Sequence, residues 1–564
     1  MGKKKTVHVY FLVLMVLMLA LTACSGGQGK DPATSPTGNS GSQTPDANKP
    51  DDGPFTKYDP PIEIHSVRGS LPDDRFRNGE TMENNVWTQE YEQELGIKLV
   101  YDWLADPNGG DESAFNKKLN VAIGSNDLPD VFGVSIKQLS QLVESEQIQD
   151  LTSVYETYAS EDLKELGMQD GGLALKAATF DGKLMAIPKF AGNIEAADVI
   201  WIRTDWLEKL KLDPPTTMDD VFKIAEAFKT QDPDGNSKDD TFGIAITKDL
   251  YGGVSNLTGF FNGYHAYPNI WIKDAEGKLA YGNVQPEMKN ALAKLQEMYK
   301  AGLLDREFAV KDGSKVIESI SQNKVGIQYG ANWNSYYPLN DARKQNPGMD
   351  WKPYPIVSID DQPARPGLAF GIYEFYVAAK QFKNPEVIVK MLNLQHERFY
   401  GETADWKKYS TAEDGTEIFQ YPVFQVFPPN KNIPDNFEAI KKAFETKDAS
   451  NLNQEQKDNY DKIASYLGGD DTHWAVDRQS GPKDSAFEAL TMYKDIAKTT
   501  EFIGANTPSM VTKKGTLDKI EKEVFTKIIM GSASIDEFDK FVADWHKLGG
   551  DDMTKEVNDW YAEQ

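Results

Sequence analysis

Cysteine is almost missing from this sequence, with 1 in 564 residues. No disulfide can therefore form within the chain. Histidine is nearly as scarce, at 6, which leaves a metal hydrolase little to draw on, and no H-E-x-x-H occurs. A G-x-S-x-G elbow, a P-loop and a G-x-G-x-x-G opening a helix are also absent, so neither a nucleophile framework nor a phosphate cradle is visible. Positive charge is short as well: 61 Lys and Arg face 87 Asp and Glu, a formal net charge of -26. That balance argues against nucleic acid, whose phosphates demand Lys and Arg, and against broad contact with anionic lipid. It also disfavours a polyanionic ligand unless a local basic pocket exists. Most of the acidity reads as solubility.

What is present begins with a basic start, Lys3, Lys4 and Lys5, followed by an apolar run from Val9 to Leu21. A bilayer span needs about 20 apolar residues; this run has the length of a signal-peptide core. Leu21-Thr22-Ala23-Cys24 follows and resembles a bacterial lipobox. The expectation is a lipoprotein signal peptide over residues 1–23, with Cys24 carrying the lipid on the outer face of the cell membrane. Cleavage would remove the three lysines and take the charge from -26 to -29. The stretch "SGGQGKDPATSPTGNSGSQTPDANKPDDGPFTK" has Phe55 as its sole large apolar residue, so it cannot form a core. Residues 24–57 read as a flexible tether. The folded remainder, 58–564, is too long for one core and predicts two lobes or more.

The rhythm along that remainder is α/β. Ile62 and Ile64 alternate as a strand. Val86, Trp87, Tyr91 and Leu95 recur at helical spacing up to Gly96, and "IKLVYDWL" follows as a strand. A helix is expected over 113–123 and a strand over 130–134. Strand, helix, strand, helix, strand at this spacing predicts a parallel α/β lobe over about 58–190. "VIWI" adds a strand leading into a helix. Helices dominate from about Asp219, including an amphipathic one with Met288, Leu292, Leu295 and Tyr299 on one face. Strands return at "KVGIQYG" and "GIYEFYVAAK".

Between helix and strand lies "QDPDGNSKDDTFGI". Asp232, Asp234, Asn236, Lys238 and Asp240 fall on every second position, with Gly235 permitting a bend. Calcium takes 6–8 oxygen ligands, which a tight loop presents from alternate positions. The expected ligands are four side chains and the Lys238 carbonyl, and the expected role is structural. Gly243 stands where an EF-hand has its bidentate Glu, so the shell is incomplete in sequence. The competing reading is a solvated acidic turn.

Several stretches in order, "GSNDLPDVFGV", "VIWIRTDWLEKL", "DPDGNSKDDTFGI", "GYHAYPNIWIKD", "KVGIQYGANWNSYYPL" and the tail from "FTKIIMGSASIDEFDKF" onward, resemble the extracellular solute-binding proteins of family 1. The resemblance is to the large lipoproteins of Gram-positive bacteria that feed ABC sugar importers, similar to the alginate-binding proteins. It implies an α/β, two-lobed, periplasmic-binding-protein-like fold of type II, with a hinge of several crossovers and a ligand cleft between the lobes. It also implies a carbohydrate ligand, an oligosaccharide, two membrane permease subunits as partners, and a monomer. Alginate-binding relatives carry an acidic residue after the last loop Asp, where this chain has Thr241, so Asp239 or a distant Glu is left to complete the calcium shell.

Sugars bind to aromatic plates and fixed polar groups, and strand ends in α/β lobes face the crevice. Asn332, Trp333, Asn334 and Tyr336, after the strand "KVGIQY", are the leading candidates. Glu374, flanked by apolar residues, reads equally as a surface residue or a cleft acceptor. Tyr264, His265, Tyr267 and Trp271 form a second set, for which a packed cluster is the competing reading. Trp474 and Arg478, with His473, form a third, in which Arg478 could clamp a uronate carboxylate or make a salt bridge. Trp201 and Asp198 rank below these, with a core Trp as the default. A surface polysaccharide hydrolase or lyase remains the alternative function, because a carboxylate pair is defined only in space. A calcium-dependent adhesin is disfavoured by the α/β rhythm.

Overall fold

The computed structural model describes residues 53–70, 74, 76, 77, 79–107, 113–190, 194–372, 374–410, 418–427, 432–504 and 506–563. Cys24, the signal peptide and nearly all of the tether lie outside the described residues.

Two large apolar cores divide most of the described chain between them, beside a small third cluster of Ile440, Ile463 and Val476. The first runs from Ile64 to Phe190 and takes in Ile372 to Val426. The second runs from Ile194 to Leu368 and takes in Ile433 to Val557. The chain therefore crosses between cores three times: after Phe190, after Leu368 and after Val426. This is the two-lobed α/β arrangement of type II solute-binding folds.

In the first lobe, β1 (Ile62–Gly69) pairs in parallel with β2 (Ile97–Ala105). Between them, α1 (Val86–Glu90) continues as a π turn, Tyr91–Leu95, that ends at Gly96 with φ 66. Only a residue free of Cβ fits there, because a Cβ would strike the Tyr58 carbonyl. Helix α2 (Ala114–Ser125) is capped by the Ser113 side chain and leads into β3 (Val131–Val134). The expectation of a parallel lobe is corrected here. Short β4 (Ile187–Pro188) does not pair with β3. A strand from after the second lobe lies between them, antiparallel to both.

The second lobe centres on a sheet made from β5 (Val199–Arg203), β6 (Phe242–Ile244), β7 (Val325–Gly330) and β8 (Trp351–Tyr354) in the order β8-β5-β7-β6. Every residue of β5 and β7 is buried, the pattern of strands covered on both faces. Helix α3 (Met218–Thr230), with a Thr217 capping box, packs beside β6. Helix α4 (Pro286–Ala301) starts on Pro286 and stops at Gly302 with φ 77. It buries Met288, Leu292 and Leu295, while Tyr299 is partly covered.

The second crossover leaves β9 (Gly367–Leu368) and enters β10 (Phe375–Ala378), the inserted strand of the first lobe. Helix α5 (Val387–Tyr400) belongs to that lobe. The third crossover returns the chain to helices α6 (Gln454–Leu467) and α7 (Trp474–Ser480) and to β11 (Lys498–Thr499), which pairs in parallel with β9. No helix among the described residues is long and apolar enough to cross a membrane.

Candidate functional site

Strand β7 is buried throughout and stops at Gly330, where a Cβ would collide with the Asn334 amide oxygen. The chain then turns sharply through a 3₁₀ segment, Asn332–Ser335. A buried strand thus delivers an aromatic-rich turn to the surface. Trp333 is 42 % exposed, Tyr336 41 % and Tyr337 50 %. Clustered exposed aromatics are a mark of interaction surfaces. Asn332 is held rigidly: its amide donates to the Glu195 carbonyl at 3.0 Å and accepts from Gln479 at 2.8 Å. Asn334 is fully buried, and neither of its amide atoms has a partner. Trp201 is also fully buried and supports the turn from below, donating to the Ala331 carbonyl at 3.1 Å. Asp198 accepts from Asn256 and from the Gly259 N–H, and burial pushes its carboxyl up to about 6.

The turn lies against the first crossover, because Glu195 belongs to the segment Ile194–Ala196 just beyond it. Glu195 keeps contact with water, yet the protein around it is dense enough that burial pushes its carboxyl up to about 7. Burial does the same to Glu455 on α6, and the charge of Glu195 adds to it. Tyr400, at the end of α5 in the other lobe, is raised by burial and then by Glu455 and Glu195. Next to Glu455, Gln454 bridges the lobes, donating to the Ala404 carbonyl at 2.7 Å and accepting from the Trp406 N–H at 2.9 Å. Sequence reasoning missed Glu195, Glu455, Gln479 and Tyr400. Glu455 sits in a polar helix that reads as a solvated face, and nothing local marks the others.

These carboxyls give a pH dependence whose sign is fixed. A carboxyl whose folded pKa is raised stabilises the fold below its unfolded value and loses that contribution as pH climbs through the raised value. Stability should therefore fall from about pH 5 to pH 8, with Asp198 and the buried Glu521, itself pushed up to about 7, adding in the same direction. Glu455→Gln should flatten the slope of thermal midpoint against pH over that window. An unchanged slope would show that Glu455 is not held protonated.

Glu374 sits where the crossovers meet. Its carbonyl accepts from the Lys189 N–H at 2.9 Å, its carboxylate faces the Lys189 ammonium at 3.5 Å, and its side chain is 40 % exposed. The Phe427 N–H donates to the Phe190 carbonyl at 2.8 Å, tying the third crossover to the first.

The other candidates fall elsewhere. Tyr264 is buried and stacks on Phe260. Trp271 is buried between Tyr281 and Phe502. Trp474 is fully buried, donating to Asp350 at 2.8 Å. The guanidinium of Arg478 is taken up by Asp477, Asp350 and the Trp351 carbonyl. The polar groups of Trp474 and Arg478 are thus taken up inside the second lobe, and Tyr264 and Trp271 are packed among other rings, the arrangement of the competing packed-cluster and salt-bridge readings. His265 lies at the surface, paired with Asp360 at 3.0 Å.

In the acidic loop, Asp232 and Ser237 adopt left-handed backbone, φ 47 and φ 62, as does Gly235 with φ 74. Ser237 is the sixth residue counted from Asp232, where calcium loops make their sharpest bend. The Asp232 carboxylate accepts from the Ser237 N–H. The Asn236 side-chain amide lies between the Asp234 and Asp240 carboxylates, at 2.6 and 3.0 Å. Burial raises the Asp234 carboxyl, and Asp232 and Asp240 add to the rise. Two carboxylates, Asp234 and Asp240, thus meet at the partial positive charge of the Asn236 amide. Asp239, considered as a completing ligand, is turned away onto Lys229. Among the described residues no three His, Cys, Asp or Glu gather tightly enough to chelate an ion unaided, so amide and backbone oxygens would have to join them.

A family model described as bacterial extracellular solute-binding protein matches residues 74–394. Lipoprotein LipO of Bacillus subtilis is 29% identical over 238 residues, which cover 42% of this chain and 44% of that protein. The polygalacturonan/rhamnogalacturonan-binding protein YtcQ of the same organism is 29% identical over 251 residues, covering 43% of this chain and 46% of that protein. The match therefore spans less than half the length of each of these relatives. Among solved structures, alginate-binding protein AlgQ2 without calcium ion aligns over 91% of this chain and 100% of its own, with TM-score 0.58 and 16% identity. That likeness establishes the fold.

Proposed function

The chain belongs to the bacterial extracellular solute-binding protein family, and on that premise we propose that it is the carbohydrate-binding component of an ABC importer, with an oligosaccharide as cargo. The observation that carries this reading is the set of exposed rings of Trp333, Tyr336 and Tyr337, next to a rigidly held Asn332, at the boundary between two separately cored lobes. Aromatic faces suit the C–H faces of sugars, and fixed amides suit their hydroxyls. Glu374 and Glu195 add acceptors near the crossovers. YtcQ, named for binding polysaccharides of galacturonate, supports the ligand class. Binding a sugar from both sides favours the closed state of the lobes, and closure excludes water. The closed form then docks on a pair of membrane permeases. Cys24, with a diacyl lipid, would hold the protein at the extracellular face of the cell membrane through the 24–57 tether, a role that the name of LipO supports.

Calorimetric titration of the chain with neutral and acidic oligosaccharides, followed by chromatography of the sugar, tests this reading. One-to-one binding with the sugar recovered intact is the expected outcome. A cleaved sugar would replace a receptor with a hydrolase or lyase.

The loop fits a structural calcium ion held by Asp232, Asp234, Asn236, Asp240 and the Lys238 carbonyl. The ion would neutralise converging carboxylates and tie α3 to β6. Calcium should therefore raise the thermal midpoint, by about 2.7 kcal/mol of stability when present at a hundred times its dissociation constant. Asp234→Asn should lose most of that gain. A midpoint indifferent to calcium and to chelator would leave the solvated-turn reading.

A further inference from the structure

Gln454 opens α6 and ties the second lobe to the first with both ends of its amide. Its nitrogen donates to the Ala404 carbonyl at 2.7 Å, and its oxygen accepts from the Trp406 N–H at 2.9 Å. Trp406 packs in turn on Phe399 of the first core, with ring centres 5.8 Å apart. Asn453 caps α6 in a capping box with Gln456, which fixes the first turn of the helix. The tie and the next residue, Glu455, therefore move as one piece.

Glu455 is poorly provided for in this position. Its Oε2 is buried and has no hydrogen-bond partner among the described residues. The Asn436 side chain, on the helix Asn432–Thr446, favours its charge, but burial opposes it, as do Glu195 from the first crossover and Asp458 from α6 itself. Across the boundary stand Tyr400 and, one turn earlier on α5, His396, with ring centres 5.4 Å apart. Burial holds the His396 imidazole below its ordinary pKa, and Arg398 is taken by Glu90 at 2.7 Å. Asp405 and Lys407 on the docked segment, and Asp435 and Glu438 on the neighbouring helix, are exposed, where water and salt screen them. Asp477 and Arg478 of α7 are spent on each other. A carboxylate is tolerated inside protein when donors or an opposite charge meet it. Here a buried oxygen lacks a donor, and the nearest charges have the same sign.

We propose that Glu455 is a proton-operated release for the Gln454 tie between the lobes. With the carboxyl neutral, the first turn of α6 stays seated on Ala404–Trp406. Once ionised, the carboxylate seeks water, draws that turn off the first lobe and frees the lobes to move. Ionisation comes as pH rises, so the tie is strong in acid and weak in alkali. Burial pushes the Glu455 carboxyl up to about 7, which places the change near neutrality. The device concerns lobe motion alone and stands whatever the cargo.

Spin labels test it. Val121→Cys in α2 and Val310→Cys in the second lobe occupy largely exposed positions, one in each lobe. In the full chain with Cys24→Ser, double electron–electron resonance then reads the distance between lobes. From about pH 5 to pH 8 a displaced population should grow at least tenfold relative to the first. Glu455→Gln keeps the shape and cannot ionise, so it should hold the acid distribution at both values. Gln454→Ala, which removes the tie itself, should show the displaced population already at pH 5. Thermal midpoints at pH 5 near that of the parent confirm that both variants are folded. Distances indifferent to pH, a pH response that Glu455→Gln leaves intact, or a Gln454→Ala chain that matches its parent at pH 5 would each overturn the proposal.

Discussion

Trp333→Ala is expected to weaken oligosaccharide binding about a hundredfold, roughly 2–3 kcal/mol, the scale of a central aromatic anchor. Stability should change little, because Trp333 keeps two-fifths of its surface in water, and exposed positions away from special features usually move stability by about 0.5 kcal/mol or less. Trp201→Ala makes the contrast. That ring is fully buried in β5 and holds the Ala331 carbonyl from below, so its loss should cost about 3–5 kcal/mol of stability and loosen the turn as well. Calorimetry and thermal unfolding on the two variants separate a contact residue from a supporting one. An unchanged dissociation constant for Trp333→Ala would remove this turn from the ligand site.

Arg478→Met is expected to destabilise the second lobe by about 3–5 kcal/mol, the penalty for leaving buried charge without its partner. The guanidinium meets the Asp477 carboxylate at 2.5 Å, Asp350 at 3.2 Å and the Trp351 carbonyl at 3.0 Å. Asp350 in turn accepts from Trp474 and Thr204, so one cation organises the start of β8, α7 and the end of β5. Burial already raises the Asp477 carboxyl despite the neighbouring Arg. Without Arg478 it would rise further, and a raised carboxyl loses its stabilising contribution as pH rises. The defect should therefore be larger at pH 8 than at pH 5. Urea unfolding at both values reads it, and Asp477→Asn in the same chain should recover part of the loss. A cost below about 1 kcal/mol, the value typical of exposed pairs, would show that water reaches the network.

Much of the local structure was legible because one-sided burial leaves a period in the sequence. Val86, Trp87, Tyr91 and Leu95 do bury one face of a helix that stops at Gly96. Met288, Leu292 and Leu295 do the same for α4. The insertion of β10 between β3 and β4 was not legible, since the strand arrives more than 180 residues after its neighbours and no local pattern names a distant partner. The aromatic candidates divided for a similar reason. Trp333 and Trp474 sit in comparable sequence contexts, flanked by polar or small residues, while Trp271 lies between two isoleucines. Trp333 is open, whereas the other two are buried, because segments remote in the chain cover them: Phe502 over Trp271, and Asp350 with Arg343 beside Trp474.

By itself the sequence determined the α/β class, the need for two lobes, the family resemblance and the alternating oxygens of the acidic loop. The class and the loop are written in period and spacing, the lobes in length, and the resemblance in an ordered set of short stretches, none of which requires knowledge of distant contacts. Tertiary structure alone decided where the chain crosses between cores and which aromatics remain in water. It also brought Glu195, Glu455 and Tyr400 to one boundary. Exposure and charge pairing are sums over neighbours that the chain brings together only by folding, so no window along it can report them.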